Sequence, residues 1–120
     1  MPITLPTLPP PGPLEKGPYC VIAKHRAKPG RGDAYEQRML ADLKMTRAEP
    51  GALQFHVHRD RSDRNLFVIY EIWRDVEALR KHFEKPYVKQ FVIDSAEFIE
   101  ENMEVECLVM ASEYELGGGK

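Results

Sequence analysis

The alternation of apolar and polar residues predicts a first strand and a first helix near the start of the chain. Valine, isoleucine and aromatic residues crowd the segment Tyr19 to Ala27, which predicts a strand that stops at the turn residues Pro29-Gly30. A helix from Asp33 to about Ala48 is predicted next, because apolar residues then return every three to four positions. Asp33 is the expected N-cap, with Glu36 three residues later as in a capping box.

The middle of the chain predicts a hairpin of two strands. Residues alternate between apolar and polar from Ala52 to Arg59, so His56 and His58 are expected to face away from the core. The segment Leu66 to Trp73 is almost continuously apolar, which predicts a central strand covered on both faces. A polar turn over residues 60–65 joins the two strands.

Two further helical pieces and a last strand complete the pattern. Asp75 is the expected cap of one helix, and Pro86 breaks that helix and begins the next. Met103 to Ser112 alternates and predicts the last strand. The order βαββαβ predicts an α+β, ferredoxin-like fold, which is a four-stranded antiparallel sheet with the helices on one face. The bare sheet face would expose apolar side chains, so a homodimer packed sheet against sheet is expected.

The two ends of the chain differ in composition from this folded region. Seven of the ten prolines lie in residues 1–18, where they exclude a helix or a central strand and predict an extended or disordered arm. Such an arm either has no role or lies across a partner subunit through its leucines, Leu5, Leu8 and Leu14. Residues 19–114 form the predicted domain, and the glycine-rich residues 115–120 a flexible tail.

Charge and composition exclude some partners. The net charge of −2, from 17 basic and 19 acidic side chains, favours neither nucleic acid nor a membrane surface. No apolar run approaches the ~20 residues of a membrane span, and the N-terminus lacks the features of a signal peptide, so a cytoplasmic location is expected. No metal site is predicted, because His56 and His58 have no third ligand near them in the sequence.

A series of short motifs runs along residues 19–110. They are Val21-Ile22-Ala23-Lys24, Lys28-Pro29-Gly30, Glu49-Pro50-Gly51, Phe55, Tyr70-Glu71-x-Trp73-x-Asp75, Ala78-Leu79, His82, Pro86-Tyr87 and Phe91. In this order they resemble the antibiotic biosynthesis monooxygenase (ABM) domain family. The resemblance implies a dimeric α+β barrel with a pocket in each subunit between the sheet and its helices. It also implies a range of activities, from cofactor-independent oxidation of quinols and phenols to haem degradation and the isomerisation of a small phosphorylated metabolite.

Three polar residues are expected to be catalytic. His25, near the end of the first strand, can take a proton from a phenolic hydroxyl, because histidine titrates near neutrality. Glu71 interrupts an apolar strand and needs a partner such as His25, Arg26 or His82. His82 lies at the edge of the apolar stripe of its helix and can point into the pocket mouth. A structural role remains the alternative for each: a solvated histidine, an ion pair that fixes packing, and a histidine bonded to a backbone carbonyl.

Four aromatic residues are expected to bind the substrate: Trp73, Phe55, Phe83 and Phe91. The indole ring of Trp73 can stack on a flat molecule, although a purely structural role in the core is the alternative. The haem-degrading branch of the resembling family uses an axial histidine on the second helix. The corresponding region here reads Lys89-Gln90-Phe91-Val92, so no haem and no other cofactor is expected.

The predicted function is therefore that of a cofactor-independent monooxygenase, which oxidises a small aromatic or quinol-like compound with molecular oxygen. One alternative is an isomerase or lyase that uses the same pocket without oxygen. Another is a dimer that binds a small ligand without turnover. Since one fold hosts all three, the sequence does not identify the substrate.

Overall fold

The computed structural model describes residues 3–8 and 18–114. Within them the element order is β1-α1-α2-β2-β3-α3-α4-β4. The strands are β1 (Tyr19–Arg26), β2 (Ala52–Arg59), β3 (Leu66–Trp73) and β4 (Glu104–Val109). The helices are α1 (Gly32–Ala41), α2 (Leu43–Arg47), α3 (Val76–Glu84) and α4 (Pro86–Ser95).

The four strands form one antiparallel sheet in the order β2-β3-β1-β4, which confirms the predicted α+β, ferredoxin-like fold. The register places Glu71 of β3 opposite Val21 of β1 and opposite Phe55 of β2. Because side chains alternate along a strand, His25 of β1 shares a sheet face with Val21. This face, the inner face, packs against the helices.

Burial alternates along β3. Phe67, Ile69 and Glu71 are buried on the inner face. Three of the four outward side chains, Leu66, Val68 and Tyr70, are only half-buried in the single chain, whereas the fourth, Ile72, is buried. β3 is a central strand, as predicted, but in the chain taken alone its outer face is fully covered only at Ile72. The homodimer that would cover the outer face stays a prediction.

The first helix differs from the prediction in two ways. Asp33 does not cap it, because α1 begins after Arg31 without a side-chain cap. Asp33 and Glu36 instead accept hydrogen bonds from the Arg59 guanidinium, at 2.8 and 3.4 Å. The predicted continuous helix is also divided at Asp42, where α1 ends and α2 begins. The Arg59 guanidinium, from the distant strand β2, thus binds the two carboxylates for which the local pattern predicted a role in a capping box.

The later elements follow the sequence more closely. The Asp75 carboxylate caps α3 by accepting a hydrogen bond from the Ala78 amide at 2.8 Å, as predicted. Pro86 occupies the first turn of α4, where its missing amide costs nothing. β4 is shorter than the predicted Met103 to Ser112. No helix within residues 3–8 and 18–114 has the length and apolarity needed to cross a membrane.

Candidate active site

A cavity of about 100 Å³ lies between the inner face of the sheet and the helices. Every strand and helix contributes to its wall, and most of the contributing side chains are apolar. The polar side chains in the wall are His25, Asp42, Thr46, Glu71, His82 and Tyr87. A chamber of this kind, apolar with a few converging polar groups, is the usual form of a small-molecule site.

The structure brings six of the seven predicted site residues to this one cavity: His25, Glu71, His82, Phe55, Phe83 and Phe91. Trp73 is the exception. Its side chain is fully buried behind the wall, where its ring lies tilted at 38° to that of His82, with a centroid distance of 4.7 Å. Trp73 therefore supports the wall from behind and does not present its ring to a ligand.

Glu71 has a different partner from those expected. The indole Nε1–H of Trp73 donates to Oε1 of Glu71 at 2.8 Å, whereas the sequence favoured His25, Arg26 or His82. Burial raises the pKa of the Glu71 carboxyl to about 7, and the bond from Trp73 only partly opposes that rise. Among the described residues, Oε2 of Glu71 has no hydrogen-bond partner, so this oxygen is available to a ligand.

His25 is paired with a tyrosine from the first helix. Its Nδ1 lies 2.6 Å from the hydroxyl of Tyr35, a fully buried residue of α1. Burial lowers the pKa of His25 to about 4, so the imidazole is neutral at pH 7. Burial also raises the pKa of Tyr35, so its hydroxyl keeps its proton. The ring of Phe91, on α4, completes this end of the cavity 6.4 Å from the His25 ring.

His82 is held by a network of three side chains at the other end. Its Nδ1 lies 2.7 Å from Oε2 of Glu49, and the Tyr87 hydroxyl donates to the same oxygen. The Thr46 hydroxyl lies 3.2 Å from that of Tyr87. Burial lowers the pKa of His82, although the hydrogen bond and the charge of Glu49 both oppose the shift.

Close packing against α3 explains why the Glu49-Pro50-Gly51 motif ends in glycine. A Cβ atom on Gly51 would lie 2.3 Å from the Cβ of Ala78, so only glycine lets this turn pack directly on α3. Ala78 precedes His82 by one helical turn. The close approach therefore sets Glu49, two residues before Gly51, against the imidazole of His82.

The N-terminal segment also reaches the cavity. We call residues 3–8 the strap. Leu5 and Pro6 of the strap line the cavity, and Ile3 is buried with Tyr35 in the core. Two hydrogen bonds join Thr4 to the Asn102 side chain, at 3.3 and 3.0 Å. Leu8 packs against the cluster that contains Trp73, whereas Leu14 lies outside the described residues.

Sequence reasoning missed three partners of the predicted residues. Tyr35 is one of the residues that recur every three to four positions in the predicted first helix, and nothing in that pattern connects it with His25. Glu49 and Tyr87 appeared only within family motifs. A charged residue directly before the Pro50-Gly51 turn was the one available signal, because a carboxylate there has no role in ending a helix.

The exposed histidines lie apart from the cavity. His56 and His58 project from β2 on the outer face, with ring centroids 6.4 Å apart. Nε2 of His56 contacts the Gln54 side chain at 2.8 Å. Within the ranges 3–8 and 18–114 no three His, Cys, Asp or Glu side chains are grouped so as to hold a metal ion.

Comparisons with known proteins agree with the fold. The model of one family, antibiotic biosynthesis monooxygenase, matches residues 18–93. PA3566 from Pseudomonas aeruginosa shares 31% identity with a TM-score of 0.76, over 82% of this chain and 98% of that one. Rv0793 from Mycobacterium tuberculosis shares 23% identity with a TM-score of 0.75, over 82% and 99%. The uncharacterized Synechocystis protein sll1783 is 28% identical over 94 residues, which are 78% of this chain but only 64% of that relative.

Proposed function

Because the chain belongs to the antibiotic biosynthesis monooxygenase family, we propose that it oxidises a small phenol or quinol-like compound with molecular oxygen and no cofactor. The observation that carries the proposal is the cavity with its two neutral histidines, whose Nδ1 atoms have opposite kinds of partner. Such a site can withdraw a proton from a hydroxyl at one end and stabilise a developing anion at the other.

His25 acts as a hydrogen-bond donor in this proposal, not as the base that the sequence suggested. Among the described residues, the Tyr35 hydroxyl has His25 Nδ1 as its only hydrogen-bond partner. If Nδ1 carried the proton, the buried Tyr35 hydroxyl would have no acceptor, at a cost of about 1–3 kcal/mol. The hydroxyl therefore donates to Nδ1, and the ring proton is on Nε2, which remains free to donate to a ligand.

His82 acts as the general base. The Glu49 carboxylate can only accept hydrogen bonds, so Nδ1 of His82 carries the proton that lies between them. Nε2 of His82 is then unprotonated. Glu49 also stabilises the imidazolium that forms when Nε2 takes a proton, as the buried carboxylate of a catalytic triad does.

The reaction balances without a cofactor. Nε2 of His82 takes the proton of the substrate hydroxyl, and the resulting phenolate passes one electron to oxygen. The two radicals combine at a ring carbon to form a C–O bond, and the Nε2–H of His25 stabilises the peroxide anion. His82 returns its proton to the peroxide. The ring carbon then loses its hydrogen as a proton while the O–O bond breaks, so one oxygen atom becomes a carbonyl and the other leaves as water.

The size of the cavity limits the substrate to no more than a single ring. An apolar protein cavity of roughly 150 Å³ takes up benzene, and the cavity here is about 100 Å³. Phe55, Phe83 and Phe91 offer aromatic faces and edges to such a ring. Glu71, with its free oxygen, can bond to a second hydroxyl on the ring.

The proposed assembly is a homodimer formed through the outer sheet face. Leu108 of β4 is 41% exposed on that face, opposite Cys20 of β1, and the half-buried Ile22 and Val68 lie further along the same face. Exposed apolar side chains on a bare sheet face mark a surface that a partner can cover. Sedimentation equilibrium should therefore give twice the chain mass, and Leu108→Lys should shift the population toward the monomer.

Oxygen uptake with a panel of single-ring phenols and hydroquinones tests the proposed activity. One molecule of oxygen should disappear per ring oxidised, and ¹⁸O₂ should place one labelled atom in the product. Lys81→Gln is the matched control, because Lys81 is exposed beside His82 on α3. An absence of uptake across the panel, or full activity in His82→Asn, would contradict the proposal.

One observation favours an isomerase or lyase as the second candidate. Glu71 has a pKa of about 7, so it can both give and take a proton at neutral pH without oxygen. A reaction of this type would proceed unchanged in an anaerobic chamber. A protein that only binds its ligand would instead be stabilised by that ligand without converting it.

A further inference from the structure

We propose that the strap, residues 3–8, closes the cavity and that Leu5 and Pro6 set the largest molecule that the cavity admits. The inference concerns which molecules enter and holds whichever reaction follows. It assigns a role to part of the proline-rich arm, for which the sequence offered either no role or a contact with a partner subunit.

The contacts of the strap place it over the cavity. Leu5 and Pro6 are wall residues, on the same cavity as Met103 and Val105 near the β4 edge of the sheet. Ile3, which is 8% exposed, anchors the strap in the core before these two residues. Leu8 contacts the Trp73 cluster after them. The strap thus spans the cavity between two fixed points.

The strap lies outside the part of the chain that the family model matches. The family match begins at residue 18, after the strap. The similar structure from Pseudomonas aeruginosa matches over 98% of its own length but only 82% of this chain. Because the strap forms part of the cavity wall but lies outside the matched region, it can limit the size of the ligand in this protein while the rest of the fold is shared.

The strap is also held weakly enough to open. It has no regular secondary structure, and Thr4 and Asn102 supply its side-chain hydrogen bonds among the described residues. Its apolar contacts come from a few side chains, while ordering an extended segment costs conformational entropy at every residue. Pro6 reduces that cost, because its backbone is already restricted in the unfolded chain. A segment balanced in this way can admit a ligand and close over it.

Binding of two neutral probes of different size tests the inference. Isothermal titration calorimetry would measure the affinities of phenol, with one ring, and of 1-naphthol, with two. The full-length protein should prefer phenol. In Leu5→Asp the charged side chain leaves the apolar wall, and the affinity for 1-naphthol relative to phenol should rise by about tenfold. Asn102→Ala, which removes the two hydrogen bonds between Thr4 and the Asn102 side chain, should act in the same direction by a smaller factor.

Thr7→Asp is the matched control, since it adds the same charge to the same segment at an exposed position. Its ratio of affinities should equal that of the unmodified protein. An unchanged ratio in Leu5→Asp, an equal change in Thr7→Asp, or no binding of either probe to any variant would overturn the inference. These readouts involve no turnover, so a failure of the proposed oxidation leaves them unaffected.

Discussion

The two ends of the cavity present the same side chain with opposite hydrogen-bonding character. At one end a tyrosine hydroxyl lies 2.6 Å from Nδ1 of His25, and at the other a carboxylate lies 2.7 Å from Nδ1 of His82. Burial lowers the pKa of both histidines, so burial does not distinguish them. The two histidines are distinguished by the partners of their Nδ1 atoms, Tyr35 and Glu49, because each partner decides which ring nitrogen holds the proton. The comparison teaches that a histidine in a pocket cannot be assigned as a base from its position alone.

The two supporting residues are fixed in different ways. Tyr35 is part of the core, with its ring edge-on to Phe67 at 5.6 Å and stacked near Phe98 at 5.4 Å. Glu49 lies at a turn and depends on the close approach of Gly51 to α3. The donor end is therefore held by aromatic packing, and the base end by a turn that packs on α3 and whose Gly51 carbonyl accepts a hydrogen bond from the Arg74 amide at 2.8 Å.

Removing the base should have the largest effect. His82→Asn is expected to lower kcat/KM by about 10²–10⁴-fold, the usual contribution of a general base. Glu49→Gln should cost less. Because Glu49 raises the pKa of His82, its loss should also shift the acid limb of the kcat/KM profile to lower pH. Glu84→Gln, on the exposed side of α3, is the control. A shift of the limb to higher pH in Glu49→Gln would contradict the assignment.

Glu71, which lines the cavity together with the two histidines, should make the free energy of unfolding depend on pH. Its pKa rises from 4.5 unfolded to about 7 folded, so the folded state binds the proton more tightly. Its contribution to the free energy of unfolding is therefore complete below pH 4.5 and is lost as the pH rises through 7, by about 3 kcal/mol in all. Glu71→Gln keeps an acceptor for Trp73 but removes this titration.

Urea unfolding followed by fluorescence of the single tryptophan, Trp73, would measure this effect. The stability of Glu71→Gln relative to the unmodified protein should increase steadily between pH 4 and pH 8. The terms from the two histidines are common to both proteins and cancel in the difference. A difference that stays constant over this range would show that Glu71 is not buried as the structure has it.

A steric substitution tests how the base end is held. Gly51→Ala places a Cβ against that of Ala78 and should lower the free energy of unfolding by about 1–3 kcal/mol. Ala78→Gly removes the obstacle but alone costs about 1 kcal/mol of helix stability. The double variant should therefore be more stable than the sum of the two single changes predicts. Strict additivity in chemical denaturation would mean that the two residues do not meet.

The sequence predicted the fold better than the site, for a physical reason. Strand and helix periods, the Asp75 cap and the Pro86 break are local, and they were enough to predict a βαββαβ chain. The pairing of Tyr35 with His25 and of Glu49 with His82 depends on how α1 and the turn before β2 dock on the sheet, and no local pattern encodes it. The position of Leu5 in the cavity wall was still harder to predict, since a proline-rich segment carries no periodic signal at all.

The smallest effect, and the most direct test of the comparison, concerns the protons themselves. In ¹⁵N-labelled protein, long-range ¹H–¹⁵N spectra of the imidazoles should show His25 with its proton on Nε2 and His82 with its proton on Nδ1. Tyr35→Phe removes the hydroxyl that fixes His25, so its ring should redistribute toward the Nδ1–H form while His82 stays unchanged. The loss of stability should be about 1–2 kcal/mol, because one buried nitrogen loses its partner. If both histidines carry the proton on the same nitrogen in the unmodified protein, the two ends are alike and the division into donor and base fails.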